Sequence, residues 1–178
     1  LFDSLKVWEN VAFRLRRKMG RDEAYALADE KLRRVGLVAE TAATLPLELA
    51  ETYRLTSPPI THNVLVNMGL RPRGLCTHFA EDLLRRLDAL ELKTLDLYWA
   101  VAFPTKPFRL EHSAALVSAQ GRGFESGIVL DAWRDSGELF FAPVTEDTRY
   151  AWQRLYNNIT DPPPPDRTEP VPPESLYD

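Results

Sequence analysis

Apolar residues recur at helical spacing through the first part of the chain and fall into strand-like runs further on. Trp8, Val11, Leu15 and Met19 follow the 3,4 rhythm of one helix face, with Glu9, Arg16 and Arg17 off it. Asp22 stands as the N-cap of a second helix with the stripe Ala24, Leu27, Ala28, Leu32 and Val35. Gly36 follows where a left-handed C-terminal cap closes it. Pro58-Pro59 ends an extended segment, and Thr61 caps a short helix through Val64, Leu65 and Met68 to Gly69. Cys76 then opens an amphipathic helix with Ala80, Leu83, Leu84, Leu87 and Leu90 inward and Glu81, Asp82, Arg85 and Arg86 outward.

Beyond this helix the pattern changes to strands, expected over residues 95–103, 112–119, 127–133 and 138–144. Gln120-Gly121-Arg122-Gly123 and Asp135-Ser136-Gly137 supply the breaks that hairpins need. Helices followed by a meander of strands predict an α+β domain, its N-terminal helices packed on an antiparallel sheet. Three segments result: a helical stretch over 1–50, the main domain over 51–156 and a tail over 157–178. The tail holds seven of the 14 prolines among Asp, Glu, Thr and Ser, and reads as an exposed, disordered or polyproline-II terminus.

Composition narrows the classes of function. With 178 residues and 44% apolar content, the chain can bury one medium core. A net charge of -4 argues weakly against a nucleic-acid surface, and the arginines at 14, 16, 17, 33 and 34, mixed with acids in this part of the chain, read as solvated helix faces. No run approaches the length of a membrane span. A single cysteine excludes an internal disulfide framework. No G-x-x-x-x-G-K-[ST] loop occurs, so nothing in the chain is built to cradle a triphosphate.

The candidate chemistry lies in the main domain. Cys76 stands at a helix N-terminus, where unpaired N–H groups and the dipole favour thiolate. His112 begins a strand, and Asp131 lies in the next one. An imidazole can take a thiol proton, and a carboxylate can hold that imidazole in the right tautomer. Each residue alone also has a plain structural reading: a buried cysteine filler, a strand-edge histidine, a turn-capping aspartate. The order of the three is what points to a site.

The Cys76 N–H is one natural oxyanion donor, and Asn63, Asn67 and His78 are candidates for a second. His78 follows Cys76 by two helical positions and so reads as a helix-flank or pocket-rim residue rather than a base. His62 reads as a first-turn residue of its short helix. Trp133, two residues past Asp131, shares its sheet face and could shield the His–Asp pair. Zinc held by Cys76, His78, His112 and Asp131 is the competing chemistry, but Cys-x-His lacks the usual ligand spacing and the expectation is no metal.

Gly74-Leu75-Cys76-x-x-x-Ala80, Glu111-His112 and Leu130-Asp131-Ala132-Trp133 resemble the nucleophile helix, histidine strand and aspartate strand of the transglutaminase-like, papain-type superfamily. The stretch from Arg54 to Trp152 also looks like a family of uncharacterised bacterial proteins with the same Arg-Gly-Leu-Cys and Leu-Asp-x-Trp pattern. The resemblance implies a papain/transglutaminase-like core and a triad of Cys76 nucleophile, His112 base then acid, and Asp131 orienter. It implies acyl transfer or amide hydrolysis on a peptide or protein substrate without a cofactor, or a non-catalytic binding module of the same fold.

Residues 1–13 are similar to the stretch after the Q-loop of ABC-transporter ATPases, and Lys31 to Leu37 and Leu45 to Leu49 resemble later parts of that subunit. The Ser-Gly-Gly signature is absent at Ala50-Glu51-Thr52, so this segment is not expected to act as an ATPase. The chain opens on Leu1, and the expectation is a processed or trimmed N-terminus, with bacterial cytoplasm and periplasm both open.

Overall fold

The computed structural model describes residues 19–107 and 109–156. The helix expected over Trp8 to Leu15, the side chains of Ala24, Ala28, Leu32 and Val35, and the tail expected from Asn157 lie outside the described residues.

Helix α1, Arg21–Thr52, corrects two expectations. Its N-cap is Gly20, so Asp22 sits with Glu23 in the first turn, where negative charge meets the positive end of the dipole. It also runs straight through Gly36, and further on through Pro46. An interior proline forfeits one helical hydrogen bond, and here packing compensates, because Pro46 is buried. Gly137, in the turn Asp135-Ser136-Gly137, lies against this part of the helix so closely that an added Cβ would stand 2.5 Å from the Ala50 Cβ. Ala42 and Leu45 pack with the core leucines of the Cys76 helix, and Leu49 and Ala50 with Tyr53, Phe79 and Ala132.

Helix α2, Pro59–Asn67, starts with proline at its first turn, where a missing N–H costs nothing. Pro58 is its N-cap, so Thr61 is a first-turn residue and not the cap. Helix α3, Cys76–Asp88, buries Phe79, Ala80, Leu83, Leu84 and Leu87 at 3,4 spacing and ends with Arg85 and Arg86 in its last turn.

The strands are β1 Leu95–Ala102, β2 His112–Ala119, β3 Ile128–Asp135, β4 Glu138–Pro143 and β5 Trp152–Leu155. They form one antiparallel sheet in the order β4-β3-β2-β1-β5. The fold class is therefore α+β. The fifth strand was not expected from the sequence; it returns along the outer edge of β1, pairing Ala102 with Trp152.

One sheet face, through Trp99, Ala115 and Leu130, packs on Ala80, Leu83, Leu84 and Leu87 of α3 and Ala42 of α1. The other face carries Tyr98, Ala100, Ala114, Leu116 and Val129, covered by Phe124, Val144 and Trp152. Among the described residues no helix is long and apolar enough to cross a membrane.

Candidate active site

Cys76 is presented by a turn that only a narrow set of residues can make. Gly74 has φ of 123°, and a Cβ there would stand 2.2 Å from Nε2 of His62. Glycine thus supplies both the backbone conformation and the close approach. His62 is fully buried beneath it, Nδ1 accepting the Thr56 N–H at 3.1 Å and Nε2 donating to the Arg73 carbonyl at 2.9 Å. His62 lies in the first turn of its helix as expected, and it also ties the segment before α2 to the one before α3.

His78 works from the other side of the turn. Its Nδ1 accepts the N–H groups of Gly74 at 3.0 Å and Leu75 at 3.2 Å, satisfying donors just ahead of the helix as a capping box does. Burial first, and then the nearby Arg73 charge, hold its pKa below that of a free imidazole. It is a helix-flank residue. Arg73 bonds Asp82 at 2.9 Å, and the Asp82 carboxylate also accepts the Tyr53 hydroxyl, whose pKa burial and Asp82 push up to about 12. These contacts fasten the cysteine helix to the end of α1.

The Cys76 side chain, 7% exposed, directs Sγ toward the Glu111 carbonyl at 3.9 Å, at the entry to β2. The next residue is His112. Sheet register brings Asp131 to it. Counting on from Leu116 opposite Val129 and Ala115 opposite Leu130, position 131 falls across from Ala114, one same-face step from His112. His112 Nε2 and Asp131 Oδ2 are 2.6 Å apart, and both side chains are buried.

Burial alone would lower the His112 pKa. The hydrogen bond to Asp131 and the interaction with the Cys76 thiol outweigh it and raise the value to about 9. Burial likewise works against the Asp131 charge, but His112 and then Arg134 hold its carboxyl below the usual range. Asp131 Oδ1 accepts the backbone N–H groups of Trp133 at 3.1 Å and Arg134 at 3.2 Å. Its charge is thereby fully solvated by protein.

Compared with known proteins, the chain matches no family model, no curated protein and no solved structure.

The structure brings Cys76, His112, Asp131 and Trp133 together. The Trp133 ring centroid lies 5.1 Å from that of His112, and the buried indole Nε1 has no hydrogen-bond partner among the described residues. Asn63 and Asn67 lie on α2, and among the described residues neither makes a hydrogen bond to Cys76. Asn67 is exposed, and the buried Asn63 Oδ1 has no hydrogen-bond partner among the described residues. Among the described residues no group of three or more His, Cys, Asp or Glu side chains is arranged to hold a metal ion.

Sequence reasoning missed Tyr150 and Trp152, whose rings lie 4.5 Å and 5.4 Å from that of His112. It also missed Arg134, whose Nε donates to Asp131 Oδ2 at 2.7 Å. The only sequence signal was the basic residue three after Asp131, which a regular strand would place on the opposite face.

Proposed function

We propose that this domain carries out cysteine-dependent acyl transfer or amide hydrolysis through Cys76, His112 and Asp131, on a transglutaminase- or papain-like core. The observation that carries the reading is the buried 2.6 Å contact between His112 and Asp131 beside a thiol at a helix N-terminus. A histidine that keeps its proton to about pH 9 is a standing cation next to Cys76, which favours thiolate. Asp131 occupies Nε2, which leaves Nδ1 to exchange the thiol proton.

In the reaction Sγ attacks the substrate carbonyl carbon, and the carbonyl π electrons move onto oxygen. Among the described residues no acceptor is paired with the Cys76 N–H, which supplies one donor to that oxyanion. The imidazolium then gives its proton to the leaving amine as the C–N bond breaks, and a thioester remains on Cys76. Water or a second amine, deprotonated by His112, attacks the thioester and releases the thiol. Peptides and protein side-chain amides are the substrate class.

The test is intact-mass detection of an acyl adduct after exposing the folded protein to p-nitrophenyl acetate. One adduct on wild type and none on Cys76→Ser is the expected result. The near-complete burial of Cys76 favours a second reading, a peptide-binding module with an inert thiol. A folded wild-type protein that takes up no acyl group would establish that reading in place of the first.

A further inference from the structure

We propose that Arg134 is a positioning residue of this site, tying the Asp131 carboxylate to the segment between β4 and β5 and so holding the His112 ring in place. In its bearing on Cys76 this rests on the acyl-transfer reading; in its bearing on His112 it does not.

Residues three apart in a regular strand face opposite sides. The pairing of β3 with β4 is irregular between Asp131 and Asp135, and there Arg134 reaches the Asp131 carboxylate. The guanidinium is used at both ends. Nε holds Asp131 Oδ2 at 2.7 Å, while the terminal nitrogens hold Asp147 at 2.6 Å and 3.4 Å. Asp147 in turn accepts the Trp152 indole N–H at 2.9 Å and the Arg149 backbone N–H at 3.0 Å. A continuous chain therefore runs from His112 through Asp131, Arg134 and Asp147 to Trp152, whose ring returns to the face of His112.

The Arg134 and Asp147 side chains are 4% and 2% exposed. A buried ion network is commonly no more stable than apolar residues of the same volume. Stability therefore does not account for this one, whereas geometry does. Tyr150 lies between the guanidinium, 4.8 Å from its ring, and the imidazole, 4.5 Å away. Breaking the link to Asp147 frees the segment that carries two of the three rings packed on His112. Among the described residues, Asp131, Cys76 and Tyr150 are ionisable groups that face that ring, with Arg149 stacked beyond Tyr150 at 5.4 Å.

The test uses the whole chain with Arg134→Met, Arg134→Lys and Asp147→Asn. The His112 ring-proton resonances, shifted by the neighbouring aromatic rings, are read by NMR, and Cys76 alkylation by iodoacetamide is followed from pH 5 to 9. Arg134→Met and Asp147→Asn should both move the His112 resonances toward free-histidine values. Both should also displace the low-pH limb of alkylation upward by about one pH unit, about a tenfold slower reaction at pH 6. Arg134→Lys, which keeps the charge but cannot fork between two carboxylates, should fall between these and wild type.

Wild-type resonances and labelling profile in Asp147→Asn and Arg134→Met, with only a lower melting temperature, would overturn the proposal. If Arg134→Met does not fold, the near-isosteric Asp147→Asn decides alone. If wild-type Cys76 resists labelling, acyl transfer fails as a reading, and the His112 resonances still decide whether Arg134 positions the ring.

Discussion

His112 Nε2 lies 2.6 Å from Asp131 Oδ2, and this contact fixes which ring nitrogen is left for Cys76. With Nε2 taken, a neutral His112 has Nδ1 free to accept the thiol proton, and Asp131 stabilises the imidazolium that results. Removing His112 deletes the base itself, whereas removing Asp131 only weakens it. His112→Ala should slow iodoacetamide labelling of Cys76 at pH 6 about tenfold or more, and Asp131→Asn by less. Circular dichroism on each variant establishes that the fold persists, since a buried polar group left unpaired can unfold a domain and expose any thiol. Equal labelling of all three folded proteins would remove His112 from the chemistry.

The same pair makes stability fall on the alkaline side. In the folded chain His112 keeps its proton up to about pH 9, against 6.5 for an unperturbed imidazole. The stabilisation this represents is complete below about 6.5 and is lost as pH rises through about 9, and it amounts to at most about 3 kcal/mol. Asp131 behaves oppositely: its contribution is present above the ordinary carboxylate pKa and is lost as pH falls below it. Urea denaturation between pH 6 and 10 should show the alkaline decline in wild type. His112→Gln, less stable overall, should show a flatter profile. A wild-type profile level from pH 7 to 10 would contradict the assignment of His112 as a buried cation.

The parts of the fold legible in the sequence are those in which local pattern and tertiary packing agree. Helix α3 carries an apolar stripe at 3,4 spacing and strands β1 to β4 carry apolar-rich runs between strong turn signals, and they form where the pattern places them. Gly36 reads as a stop signal, yet α1 continues through it to Thr52, and Pro46 is accommodated where α1 packs on the sheet. Strand β5 is too short to establish a period, and the edge of β1 recruits it. Cys76, His112 and Asp131 were legible because each stands at a marked place on its element. Arg134 and Asp147 were not, because a β-sheet irregularity and a polar loop brought them together, and neither has a signature in one sequence.

His78 should prove structural. Its imidazole accepts two backbone N–H groups ahead of α3, so losing it should destabilise the protein by about 1 kcal/mol, as loss of a cap does. Protonation would also break those bonds. Because its pKa is lowered in the folded chain, its contribution is present above about 6.5 and is lost as pH falls through the lowered value. His78→Ala should therefore lower the denaturation midpoint at pH 7, have less effect at pH 5, and leave the His112-dependent labelling profile of Cys76 in place. Loss of that profile in a folded His78→Ala protein would assign His78 a part in the chemistry.

Gly74 should tolerate no side chain. Alanine there has to adopt φ of 123°, a region L-residues avoid, and its Cβ would meet His62 Nε2 at 2.2 Å. The strained backbone and the overpacking add, so Gly74→Ala should cost at least about 2 kcal/mol by denaturant titration. The two causes separate in a double-mutant cycle. His62→Ala removes the collision and leaves the backbone strain, so Gly74→Ala should cost less in that background, provided both single variants fold. Because the turn sets where α3 begins, any folded Gly74→Ala protein should also label more slowly at Cys76. A Gly74→Ala protein as stable and as reactive as wild type would mean that neither the turn nor His62 holds the cysteine in place.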